Sequence, residues 1–258
     1  MIRNFIFYSF QIVKVFQQSN GHYVCIGSIQ EGGDVVYSSV LILVLTQNGD
    51  QIQKIRFDDL KVKNVLQTSD DGYILFGSSM IKLNKDFNIQ WTKEIIDGKY
   101  WSIQITPTSN NGFALTGTYE QNQIFLKTFE SNGNEESNKI YKNRDYQFQE
   151  YGFDLKQLND GGFLIVGRSS ITVFPNNLQC QILRTNINYD TIWTKKVNYS
   201  TNSVLNRIIY SESNEFIIGG EIVSPNENRQ SFLIKTNDNG QVLDSLIIDN
   251  QNCPFNNY

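Results

Sequence analysis

A chain of 258 residues, 40% hydrophobic and 13% aromatic, has a globular composition and can bury about three quarters of its unfolded surface. The net charge of −4, with Lys and Arg scattered and forming no stripe, argues against nucleic-acid binding driven by phosphate neutralisation. Three cysteines (Cys25, Cys180, Cys253) at no knuckle spacing and a lone histidine, His22, exclude a disulfide framework and a multi-histidine metal site, and argue against a Ser-His-Asp arrangement.

Residues 1–8, with Arg3 ahead of a few apolar side chains, mimic a secretion signal. The run breaks at Ser9 and Gln11 and no small-residue cleavage site follows, so no signal peptide is expected. The longest apolar run, residues 40–45, is far too short to span a bilayer, and no membrane insertion is expected. Localisation is otherwise left open. A single Asn-Tyr-Ser sequon at Asn198 matters only in a secreted chain.

The first copy of a repeat follows: His22-Tyr-Val-Cys-Ile-Gly27. It returns around Tyr73 and Gly77, Phe113 and Gly117, Phe163 and Gly167, and Phe216 and Gly220, always with an aromatic four residues before the glycine. The glycines are 50, 40, 50 and 53 residues apart, which is the spacing of a repeat architecture. In the second copy, residues 61–67 read as a strand and Ser69-Asp70-Asp71-Gly72 as a tight turn. Residues 73–76 form a strand apolar on both faces, 80–83 a third, and 89–96 a fourth that carries Trp91.

The other copies obey the same ruler. An apolar anchor precedes each motif (Val15, Val65, Ile105, Leu155, Ile208), and third-to-fourth turns fall at Asn48-Gly49, Asp86–Asn88, Asn132-Gly133, Asn188–Asp190 and Asn239-Gly240. Asn-Gly between two β-rich runs is a strong hairpin signal. Four short antiparallel strands per unit of about 50 residues make a β-propeller blade, whereas a β-sandwich does not explain tandem identical units.

The fold expectation is therefore an all-β propeller of four-stranded antiparallel blades, five in number, or alternatively an arc of a larger propeller. A single domain over 1–250 contains repeats at 10–57, 58–98, 99–147, 148–200 and 201–250. Residues 1–9 read as an extra strand, because Met1 falls where Trp91 and Trp193 fall, and 251–258 as a tail. Each motif aromatic is expected to wedge between neighbouring blades, and each motif glycine to admit a close backbone.

Asp71–Gly77 with Ile81–Leu83 and Trp91–Lys93, and Gly162–Gly167 with Leu183–Thr185 and Trp193–Lys195, resemble the tandem β-propeller repeats of many bacterial and protist proteins, distantly akin to quinoprotein-type propellers. Units one, three and five lack the tryptophan, with Gln53, Glu136 and Asp244 in its place. The resemblance implies a fold and hardly any function. Nothing matches a quinone site; no cofactor and no metal are expected.

In a four-strand meander, the first-to-second and third-to-fourth turns share one end of the blade, and here they are uniformly short. The second-to-third loops, at the other end, vary from 5 to 17 residues between the motif glycine and the third strand. Variable loops on a rigid scaffold are where recognition concentrates. Tyr100, Trp101, Tyr119, Arg144, Tyr146, Tyr151 and Arg168 lie toward that end and are of the types that anchor interfaces.

A basic residue recurs in the third strand at Lys82, Lys127, Arg184 and Lys235, broken by Val44. It reads either as a ring for an anionic ligand or as a solvated position balanced by acids such as Glu94, Glu136 or Asp244. The adjacent pairs Asp58-Asp59 and Asp70-Asp71 occupy turns, which gives little support to paired-carboxylate catalysis. The expected function is a non-enzymatic scaffold that binds a protein partner through the variable-loop face. The alternatives are a carbohydrate-binding, lectin-like propeller and a glycoside hydrolase-like enzyme.

Overall fold

The computed structural model describes residues 8–31, 37–58, 60–77, 79–94, 99–120, 122–141, 148–171, 178–197, 202–211, 215–223 and 229–248. They form five sheets of four antiparallel strands, each a meander in sequence order. The chain divides into a first unit, Met1–Asp97, and a second, Gly98–Tyr258.

The first unit holds blade 1, with β1 Tyr8–Gln17, β2 Tyr23–Glu31, β3 Tyr37–Leu45 and β4 Gln51–Phe57. It also holds blade 2, with β5 Val62–Gln67, β6 Tyr73–Gly77, β7 Ser79–Leu83 and β8 Ile89–Glu94. The second unit holds three. Blade 3 comprises β9 Tyr100–Pro107, β10 Phe113–Tyr119, β11 Gln123–Phe129 and β12 Glu135–Tyr141. Blade 4 comprises β13 Phe148–Gln157, β14 Phe163–Ile171, β15 Leu178–Thr185 and β16 Thr191–Val197. Blade 5 comprises β17 Ser203–Ser211, β18 Glu215–Val223, β19 Arg229–Asn237 and β20 Val242–Ile248.

The fold is the expected all-β, propeller-type stack of four-stranded antiparallel blades. Residues 8 and 9, expected in a separate strand, begin β1 instead; residues 1–7, Cys253, Asn198 and the tail lie outside the described residues. No helix among the described residues is long and apolar enough to cross a membrane.

Within each unit the first strands of successive blades adjoin, and the fourth strands are mostly exposed. The motif aromatic is the wedge. Tyr73 joins Val24, Ile26 and Ile42 of blade 1 in one core; Phe163 joins Ile124 and Leu126 of blade 3; Phe216 joins Val166 and Ile182 of blade 4. All three rings are buried, so each contributes about 2–3 kcal/mol of apolar transfer.

The motif glycine has a local cause that the sequence only half suggests. Every first strand carries a bulge opposite it: at Ile12/Lys14, Val62/Asn64, Gly152/Asp154 and Leu205/Arg207, and across from Thr116/Thr118 in blade 3. The bulge drives a carbonyl into the glycine's Cβ position: Gln11 at Gly27, Lys61 at Gly77, Tyr151 at Gly167 and Val204 at Gly220. The close backbone belongs to the paired strand of the same sheet.

Among the described residues both short turns repeat a single hydrogen-bond pattern, as in Thr68 N–Gly72 O with Asp71 N–Thr68 O, and Asn84 N–Asn88 O with Phe87 N–Asn84 O. The fourth residue of each second turn is left-handed: glycine at Gly49, Gly133 and Gly240, but Phe87 and Tyr189 in blades 2 and 4. An aromatic in that region is costly and persists because its ring is held. Phe87 stacks on Tyr73 at 5.6 Å, and Tyr189 tilts against Phe163 at 5.8 Å.

Candidate functional site

The recurring basic residues are not one set, and Lys235 remains partly exposed. Lys82 and Arg184 are buried and reach back to the first turn of their own blade. Lys82 Nζ donates to Asp70 Oδ1 and Oδ2 at 2.8 and 2.9 Å, to Thr68 Oγ1 at 2.8 Å and to the Leu83 carbonyl at 3.2 Å. Arg184 donates to Asp160 and to the Thr185 carbonyl, and Lys235 pairs with Glu215 at 2.7 Å. The partners are not the Glu94, Glu136 and Asp244 that the sequence suggested.

Burial works to raise the Asp70 carboxyl, but hydrogen bonds from Lys82 and Thr68, the Lys82 charge and the Gly72 amide outweigh it and hold the pKa at about 2.

Strand register removes Lys127 from this set. Lys82, Arg184 and Lys235 stand opposite the residue after the motif aromatic (Ile74, Leu164, Ile217), whereas Lys127 stands opposite Leu115, one position on. Thr128 occupies the equivalent site, and by the same shift Ser137, not Glu136, takes the tryptophan position of blade 3. The acid changes with the base. Where the third strand has Thr128 or Val44, the turn has Asn110 or Asn20 in place of Asp70 and Asp160. These are clips that tie a turn to its own blade.

Lys127 points to the other sheet face, where it pairs with Glu135 at 3.0 Å and lies 4.6 Å from the Tyr100 ring centroid. Tyr100 and Tyr119, paired at the variable-loop end of blade 3, have ring centroids 4.8 Å apart, and Tyr100 packs edge-on to Phe125 at 4.8 Å. Blade 4 has a second stack. Tyr151 and Phe153 lie parallel at 6.3 Å, with the Arg168 guanidinium 4.5 Å from one ring and 5.6 Å from the other. Arg168 Nε is buried and makes no hydrogen bond, although the three side chains remain half-exposed. The backbone of Trp101 lies in β9, but its side chain, together with Arg144 and Tyr146, falls outside what the structure describes.

A cleft that the sequence reading passed over opens at the short-turn end of the first unit. Its volume is about 510 Å³, and it lies between blades 1 and 2. Gln18, Asn20 and His22 line it from the first turn of blade 1, and Ile52 and Gln53 from β4. Blade 2 contributes Gln67 and Asp71 beside its first turn, and Lys85, Asp86 and Phe87 from its second. Buried Tyr73 belongs to the same neighbourhood. Burial pushes its phenol up, the Gln18 side chain opposes this and the Asp71 charge adds to it, and the hydroxyl makes no hydrogen bond of normal geometry. The signal for this cleft was present in the sequence as two absences, Gln53 at the tryptophan position and Ile55 two residues later.

No family model matches the chain, and no curated protein does. Among solved structures the chain is similar to BBS1N, crystallised in complex with ARL6DN and soaked with mercury, at a TM-score of 0.54 and 7% identity over 94% of this chain and 82% of that one. The lead-soaked form of that complex aligns at 0.51, with 8% identity over 92% and 80%. Drosophila Plexin A in complex with Semaphorin 1b aligns at 0.48, with 10% identity over 90% of this chain and 55% of that one. At these identities the likeness is one of fold.

Proposed function

We propose that the chain is a non-enzymatic β-propeller that binds a protein partner through the variable-loop end of its blades. The observation that supports this most is the Arg168 group. A guanidinium held against two half-exposed aromatic rings, with one buried N–H unpaired, is the chemistry of an interface anchor. Tyr100 and Tyr119 offer a second amphipathic patch at the same end of blade 3, suited to contact that is part apolar and part hydrogen-bonded. The fold lends itself to such a role, since BBS1N was crystallised with a protein, ARL6DN. The lectin-like alternative requires the same pocket between every pair of blades; among the described residues, the seams between blades 3 and 4 and between 4 and 5 carry different side chains from the cleft of the first unit.

The test is affinity capture with purified chain, run beside Arg168→Ala and Tyr151→Ala, with a glycan array in parallel. Partner capture that drops by about tenfold in both variants supports the reading, in line with the loss of an anchor residue. Capture unaffected by either variant, or array binding without protein capture, rules it out.

A further inference from the structure

We propose that the cleft between blades 1 and 2 is a receptor for the ammonium group of a lysine side chain presented by a peptide. The inference goes beyond the partner reading above, concerns the opposite end of the blades, and stands if that reading fails.

The argument comes from the chain's own lysines. At the seam between blades 3 and 4, Lys139 of β12 extends to the second turn of blade 4, where its Nζ meets Asp190 Oδ1 at 2.6 Å. At the seam between blades 4 and 5, Lys195 of β16 does the same, donating to the Asn239 carbonyl at 2.5 Å. Register makes the two lysines equivalent, each lying two residues after the tryptophan position, Ser137 and Trp193. In both seams an ammonium from the preceding blade therefore caps the following turn.

In the first unit the equivalent residue is Ile55, two after Gln53, and its side chain joins the core instead. The turn that would receive the ammonium is still built. Asp86 holds the position of Asn239 in the shared turn pattern, with its own carbonyl and, in addition, a carboxylate. Asp71 supplies a second carboxylate to the same cleft, and neither it nor Asp86 has an ion-pair or side-chain hydrogen-bond partner among the described residues. Lys85 also lines the cleft and forms no ion pair with either acid there.

Two further features suit a peptide over a bare amine. The side-chain amides of Gln18, Gln53 and Gln67 offer donors and acceptors of the kind a peptide backbone uses, and the volume of about 510 Å³ admits a side chain with its flanking main chain. Buried Tyr73, on which Phe87 of the cleft stacks, places its hydroxyl under the influence of the Gln18 side chain and the Asp71 charge, so the apolar wall of the cleft carries a polar group beside them.

Calorimetric titration of the whole chain with acetyl-Gly-Gly-Lys-Gly-Gly-amide provides the test. Saturable binding is expected, weakened by about tenfold or more when the lysine is Nε-acetylated, because a charge-assisted hydrogen bond is lost. Asp86→Asn and Asp71→Asn should each weaken it several-fold. Ile55→Lys, which installs the chain's own ammonium, should abolish it; the two aspartate variants keep the test decisive if that one folds poorly. No saturation, equal binding of the acetylated peptide, or indifference to both aspartate variants overturns the proposal. Binding of 1,5-diaminopentane as tightly as the peptide overturns the peptide assignment in favour of a small amine.

Discussion

The seam between blades 1 and 2 and the seam between blades 3 and 4 share a core and differ at the rim. Both are filled by aliphatic side chains around a buried motif aromatic, Tyr73 in one and Phe163 in the other, each backed by a left-handed aromatic from the second turn. At the short-turn rim of the second, three bonds cross: Ser109 N to Gln157 Oε1 at 2.7 Å, Lys139 to Asp190 at 2.6 Å, and Tyr141 Oη to the Tyr189 carbonyl at 3.0 Å. At the first, the corresponding residues are Ser19 and Gln67, Ile55 and Asn88, and Phe57 and Phe87, and among the described residues none of these three bonds forms. The short-turn end of the seam between blades 1 and 2 is left open as a result. The repeat motif sets the core, and single residues outside the motif decide whether the rim is closed.

The largest effect expected from breaking this comparison is in the core. Phe163→Ala should cost about 3–5 kcal/mol, read from urea unfolding of the purified chain. Tyr23→Ala, at the half-buried copy of the same position, should cost less than half as much. Equal costs would mean that the motif aromatics are not wedges whose value follows burial.

Gly167→Ala comes next. Its Cβ collides with the Tyr151 carbonyl at the bulge, so either the bulge or the strand pairing shifts, at about 1–3 kcal/mol. An unfolding midpoint within error of wild type would dismiss the bulge as the reason for glycine.

The clip inside blade 2 should show an asymmetry. Asp70→Asn leaves a buried ammonium short of its counter-charge and should cost about 1–2 kcal/mol, whereas Lys82→Met removes the charge as well and should cost under about 1 kcal/mol. The pH dependence follows from the depressed Asp70 pKa. The clip's contribution is fully present above the ordinary aspartate value of about 4 and is lost as pH falls toward about 2. Asp70→Asn should therefore flatten the acid limb of a stability–pH curve between those values. The smallest effect is at the rim: Lys139→Ala, at an exposed pair, should cost no more than about 1 kcal/mol.

Much of the fold was legible because its signals are local. Asn-Gly at 48–49, 132–133 and 239–240 marks hairpins, and the aromatic-to-glycine spacing marks the second strand of each blade. Register was less legible, since a turn can absorb one residue without changing its composition. That is why Lys127 looked equivalent to Lys82 and Glu136 to Trp91, when pairing gives Thr128 and Ser137. The buried state of Lys82 and Arg184 was hidden for a similar reason, because their partners, Asp70 and Asp160, lie in a turn 12 and 24 residues away. The cleft was hardest to see, as it is made by what Gln53 and Ile55 are not. The short turns that suggested monotony differ in the one place where the seam is open.

The central claim, that this seam stays open because it lacks a lysine, can be followed at one imidazole. His22 is the only histidine and lines the cleft, so its ring resonances report on occupancy without ambiguity of assignment. In wild type the resonances should shift saturably as the lysine peptide is added; in Ile55→Lys they should already be displaced and no longer respond. Resonances that ignore the peptide in wild type, or respond equally in both proteins, would contradict the account.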